Sequence, residues 1–139
     1  MEAPARYLVF HGSIVLLLGL LFGAPYARAI KRNAPAQIVN SWRVAHLSVP
    51  IGAMLMLAIA AVLGSLKTSD GTKWTLTWLL IVSSYAFCIS TPLAAITGDR
   101  GLASGGKGLG KLVYVGNMIG AWGSLAAAIV LLVAAFLSL

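Results

Sequence analysis

The sequence predicts an all-α integral membrane protein, a bundle of four transmembrane helices forming one membrane domain over residues 1–139. Three observations carry this prediction. The chain is 60% hydrophobic and only 9% charged, whereas soluble domains are about half apolar and about a quarter charged. Its mean hydropathy is +0.94. Its apolar residues fall into long runs, each able to supply the roughly 20 residues that cross a ~30 Å hydrocarbon layer.

The first span is predicted over about 7–27, which carries no charge and has Leu16–Leu18 and Leu20–Phe22 as its lipid-compatible body. It is too long for a signal-peptide core. The stretch Ala24-Pro-Tyr-Ala-Arg-Ala29 resembles a cleavage site, but its removal leaves three spans, so the run is read as mature structure. Arg28, Lys31 and Arg32 follow, then Pro35 as a helix-start signal. The second span covers about 42–66, and a polar turn over 67–73, with Asp70-Gly71 inside it, closes the hairpin. The third and fourth spans cover about 74–97 and about 112–137.

Ten Lys and Arg oppose Glu2, Asp70 and Asp99, a net charge of +7. The cations sit in short loops beside apolar spans, where anionic lipid and topology account for them, so nucleic acid is not an expected partner. Arg28, Lys31, Arg32, Arg43, Arg100, Lys107 and Lys111 lie in or beside the loops after the first and third spans, against Arg6, Lys67 and Lys73 on the other side. Cytoplasmic loops collect Lys and Arg, so both termini are expected outside the cytoplasm, in a bacterial inner membrane. Gly19 and Gly23, and the stripe Gly116, Gly120, Ser124 and Ala128, recur every fourth residue. Such stripes let helices approach closely, either within the bundle or between subunits. The single Cys88 excludes a disulfide framework and a cysteine metal cluster.

Polar side chains inside a bilayer are expensive and therefore functional candidates. His46 shares a helical face with Trp42 and Pro50, four residues to either side. Pro50 has no N–H to offer the His46 carbonyl, so a kink is expected that opens space on this face for a cofactor or substrate. Neutral imidazole is the usual protein ligand of haem iron; the competing reading is an interfacial histidine bonded to a headgroup or a backbone carbonyl. His11 lies near the opposite end of its span, well over ~10 Å from His46 in depth, which argues against both holding one iron from a single subunit. On the third helix, Ser83, Ser84, Ser90 and Thr91 can bond back to their own backbone. The Tyr85 phenol does not readily do so and is a candidate hydrogen-bond donor or proton carrier. Asn117 is the one amide well inside the fourth span. Gly101–Lys107 matches G-x-x-x-x-G-K, but Gly108 replaces the magnesium-binding hydroxyl and no strand precedes it, so it is read as a flexible loop. No carboxylate lies inside any span, which speaks against a carboxylate proton relay.

The pattern His11-Gly12 with Leu20-Leu21-Phe22-Gly23, then Trp42-x-x-Ala45-His46 with Pro50, Met54 and Leu63-Gly-Ser-Leu66, then Asp99-Arg100-Gly101-Leu102, resembles the small membrane isomerases typified by styrene oxide isomerase, with hydroxylaminobenzene mutase as a relative. The resemblance implies a four-helix protein, a homotrimer, binding haem b through His46, with His46 as the iron ligand. It implies an isomerase in the degradation of aromatic compounds, acting on small hydrophobic molecules. In styrene oxide isomerase, ferric iron serves as Lewis acid for opening an epoxide, and a 1,2-hydride shift gives an aldehyde. Trp42 and Arg43 are then expected beside the cofactor, Arg43 as partner of a haem propionate or alternatively as a positive-inside anchor. The family's epoxide isomerases carry an Asn where Gly52 stands here and a Tyr where Thr91 or its neighbours stand. Tyr85, Asn117 and Thr91 are the catalytic candidates that remain. A hydroxylaminoarene rearrangement, or a non-enzymatic haem-bearing, structural or transport subunit, is the alternative.

Overall fold

A computed structural model describes residues 1–104 and 108–139. Helices α1 (Ala3–Leu21), α2 (Gly23–Lys31), α3 (Ala36–Val62), α4 (Asp70–Thr97) and α5 (Leu109–Phe136) follow in order, with a 3₁₀ turn at Leu63–Ser65 after α3. The described residues contain no strand. Among the described residues, four helical stretches are long and apolar enough to cross a membrane: Ala3–Lys31, Ala36–Ser65, Asp70–Thr97 and Leu109–Phe136. The all-α, four-span architecture is therefore as the sequence predicts.

Each span starts a few residues earlier than the apolar runs suggest, because its first turn is polar. Pro35 is the residue at which α3 begins. The turn expected over 67–73 is in large part helix: Ser69 caps α4, its hydroxyl accepting from the Thr72 N–H at 3.2 Å. The first span runs on to Lys31 but breaks at Phe22. Pro25 explains the break, since it offers no N–H to the Leu21 carbonyl and its ring crowds that turn.

The chain runs up and down. At one end the Gln37 amide donates to the Gly98 carbonyl, joining the starts of α3 and the end of α4. At the other, Lys73 Nζ lies 2.9 Å from both Glu2 oxygens, and the Lys67 N–H donates to Ser138 Oγ at 2.8 Å. Lys73 thus serves as an internal partner of Glu2, 6% exposed, and not as a free surface cation.

Helix pairing in lipid rests on close van der Waals fit. α1 packs on α3, and α5 packs on α4. A Cβ on Gly19 would overlap the Pro50 ring, and one on Gly120 would sit 2.6 Å from Phe87 Cζ. The small-residue stripes are thus consumed in part by contacts inside the chain. α3 and α4 join the two pairs, while α5 has little direct contact with α1 or α3. A space is left between α3 and α5, floored by α4.

Candidate functional site

His46 faces α1. Its Nδ1 lies 3.0 Å from the Gly19 carbonyl. A carbonyl only accepts, so Nδ1 carries a proton, and the contact is the backbone-carbonyl bond that the competing reading of His46 expects; in the neutral ring Nε2 then keeps its lone pair. This is the tautomer a metal-binding histidine needs, held by the kind of backbone partner that orients such ligands. Gly23 makes room for the ring: a Cβ there would lie 3.0 Å from His46 Cε1. Tyr26 flanks the imidazole with ring centroids 6.1 Å apart, and Trp42 faces Phe22 at 6.3 Å. Trp42, His46 and Pro50 therefore do share one face. The space expected beside the Pro50 kink is filled, however, because the proline ring lies directly on Gly19. Among the described residues no group of three His, Cys, Asp or Glu side chains could hold a bare metal ion. A single oriented imidazole suits a metal whose remaining ligands come from an organic ring.

His11 and Tyr85 form a second polar pair. His11 Nδ1 and the Tyr85 hydroxyl are 3.0 Å apart, and Tyr7 and Phe10 flank the imidazole at 6.1 and 5.2 Å. Gly19 lies eight positions beyond His11 on the helix, about 12 Å at 1.5 Å per residue. The two histidines thus stand at different depths along α1, His11 reaching from it to α4 and His46 reaching to it from α3.

A cavity of about 600 Å³ occupies the space between α3, α4 and α5. Ser48, Gly52 and Leu55 line it from α3, Ser84, Phe87 and Thr91 from α4, and Asn117 and Ser124 from α5. A second cavity of about 500 Å³ adjoins it, shares Val44, Thr91 and Asn117, and contains Arg43, Arg100 and Asn40. The Asn117 amide nitrogen donates to the Arg100 carbonyl at 3.0 Å. Thr91 donates to the Phe87 carbonyl at 2.8 Å, Ser48 to Val44 at 2.7 Å, and Ser83 to Leu79 at 2.6 Å, the back-bonding expected of helical hydroxyls. Ser84 donates to Met56 Sδ at 3.2 Å, and Ser90 Oγ is buried without a partner among the described residues.

The structure therefore divides the candidate residues. Trp42 and His46 look toward α1 and α2, Tyr85 pairs with His11, Thr91 and Asn117 line the α3–α5 cavity, and Arg43 lines the cavity adjoining it. Within one chain, His46 and this cavity lie on opposite sides of α3. Sequence reasoning did not find Gly19, whose carbonyl orients His46, nor Arg100, which shares a cavity with Arg43. The Gly19/Gly23 spacing was the available signal for the first. Gly105–Lys107, the last part of the phosphate-loop-like stretch, lie outside the described residues; Gly101 donates to Asp99 Oδ1 at 2.8 Å.

No curated protein matches the chain at a significant level. Residues 4–136 match the family described as styrene oxide isomerase, nearly the whole length and including every segment just described. The chain belongs to the styrene oxide isomerase family, as an integral membrane isomerase of that type.

Proposed function

We propose that the protein is a haem b-dependent intramembrane isomerase of small hydrophobic molecules, rearranging an epoxide to an aldehyde. The observation that carries this reading is the Gly19 carbonyl on His46 Nδ1, which leaves Nε2 as a lone-pair donor inside the bundle. Bound there, ferric haem supplies a Lewis acid for the substrate oxygen. The chain's own residues do the rest. Gly19 keeps the imidazole in one tautomer and raises its basicity as a ligand. Trp42 packs beside the site, and Arg43, which in the same chain lies in the cavity across α3 from His46, would meet a carboxylate of a cofactor held by a neighbouring copy. The apolar α3–α5 cavity holds the substrate away from water, where charge stabilisation at oxygen is strongest. Thr91 and Asn117 orient it, and Tyr85 with His11 holds a proton within the membrane.

His46 and the cavity occupy opposite faces of α3, so copies packed side by side, a trimer as the resemblance implies, are what bring the two halves of the site together. The basic end belongs in the cytoplasm of a bacterial cell, with both termini outside. The expected activity is formation of aldehyde from styrene oxide with no added reductant, lost in His46→Ala. Hydroxylaminobenzene rearrangement to aminophenol is the second reading, favoured by the hydrogen-bond acceptors of the cavity. Neither product from the intact protein would overturn the assignment.

A further inference from the structure

Arg100 does not stand out in the aqueous loop where a loop cation is expected. The segment after α4 turns back along α5. Gly101 is buried at φ +61°, and a Cβ there would lie 2.6 Å from Val113 Cγ1 and 2.7 Å from the Tyr114 nitrogen. The Asn117 amide holds the Arg100 carbonyl at 3.0 Å. With 28 residues, α5 is about 42 Å long, so when centred on a ~30 Å hydrocarbon layer about 6 Å stands in each headgroup region. Asn117 is eight positions beyond Leu109, about 12 Å along the helix. Arg100 is therefore anchored just inside the hydrocarbon boundary. Arg43 reaches the same place from α3, and both guanidinium groups line the vestibule of about 500 Å³. The sequence offers them three acids. Glu2 pairs with Lys73 at the other end, where Asp70 also lies in the first turn of α4. Asp99 Oδ1 accepts from the Gly101 N–H at 2.8 Å, and its Oδ2 lies against Gly110. Neither arginine forms an ion pair with a described residue; the ion pair among them is Glu2–Lys73.

Each guanidinium offers five N–H donors and no acceptor, in a fork that fits carboxylate and phosphate oxygens. A charged group at membrane depth without a partner marks a site. Both side chains are accessible, so the vestibule is open to a ligand. Val44 and Leu102 give it an apolar rim. We propose that Arg43 and Arg100 form a site for the carboxylate or phosphate of an amphiphilic anion, whose apolar part rests on that rim. Two sources share this chemistry: the carboxylates of a cofactor held by a neighbouring copy, and the phosphate of a membrane lipid. The first rests on the proposed function; the site itself does not. An uncharged epoxide makes no ion pair, so the substrate keeps the apolar α3–α5 cavity while the anion occupies the vestibule.

The test uses the full chain in a neutral detergent and two pairs of probes. Dioleoylphosphatidylglycerol is set against dioleoylglycerol, the same chains without phosphate, by native mass spectrometry. Haem is set against its dimethyl ester by absorbance titration. In at least one pair the anion is expected to bind about tenfold more tightly, the worth of about one hydrogen bond to a charged group. A preference in the lipid pair alone assigns the site to lipid, and one in the haem pair alone assigns it to the cofactor. Arg43→Leu and Arg100→Leu should each bring the ratio to within about twofold; the second keeps the backbone carbonyl that Asn117 holds. Arg32→Leu, another cation at the same end, should leave the ratio unchanged. No preference in either pair, a preference that survives either vestibule variant, or one that falls equally in Arg32→Leu would each overturn the proposal. A protein that binds no haem but keeps an arginine-dependent lipid preference would sink the haem reading alone. Haem binding with no anion preference in either pair would sink this proposal alone.

Discussion

At the scale of single residues, His46 is defined as much by its neighbours as by itself. The Trp42, His46 and Pro50 face was legible in the sequence, because residues four apart stack along a helix. Its partner was not. The Gly19 carbonyl lies 27 positions away, and which backbone atom meets the imidazole depends on how α1 docks, a matter of tertiary packing. Two substitutions separate the contributions. Gly23→Ala places a Cβ 3.0 Å from His46 Cε1, so the ring must yield by a few tenths of an ångström. It should lower haem occupancy, read as haem per protein in the purified material, with little change in thermal stability. Gly19→Ala meets the rigid Pro50 ring, which cannot swing aside. It should destabilise the bundle by about 1–3 kcal/mol, the usual cost of overpacking, in thermal or denaturant unfolding.

At the scale of helices, their number and order could be read from hydropathy, while their starts could not. A hydropathy window reads Asp70 and Lys73 as loop; the structure folds both into α4, one in a capped first turn and the other turned inward onto Glu2. The break at Phe22 was equally hidden, since Pro25 acts on the turn before it. The Glu2–Lys73 pair clasps the start of α1 to the start of α4. Glu2→Gln leaves a nearly buried ammonium without its counter-charge. A fully buried pair costs about 3–5 kcal/mol to break in this way, but Glu2 is 43% exposed, so a loss of about 1 kcal/mol is expected in unfolding experiments.

At the scale of the whole molecule, the four-span bundle was legible and the cavity was not. The stripe Gly116–Gly120 announced a close contact, but its partner, α4 or another subunit, depends on the docking of α5. Because α5 leans on α4, the volume opens beside α3, opposite His46. Phe87 links this packing to the cavity, as it both touches Gly120 and lines the space. Gly120→Ala should push the Phe87 ring toward the cavity and weaken ligand binding several-fold while the helices stay paired. The split of the site across α3 also explains why proximity in sequence misled: Arg43 precedes His46 by three residues but shares its cavity with Arg100, Thr91 and Asn117.

The central claim is that His46 Nε2 is an iron ligand. The absorption spectrum of the full chain, purified after growth with haem supplied, tests it most directly. The account predicts a Soret band in the unaltered protein that is lost in His46→Ala while the variant remains folded by circular dichroism. A colourless unaltered protein, or a Soret band unchanged in the folded His46→Ala variant, would contradict it.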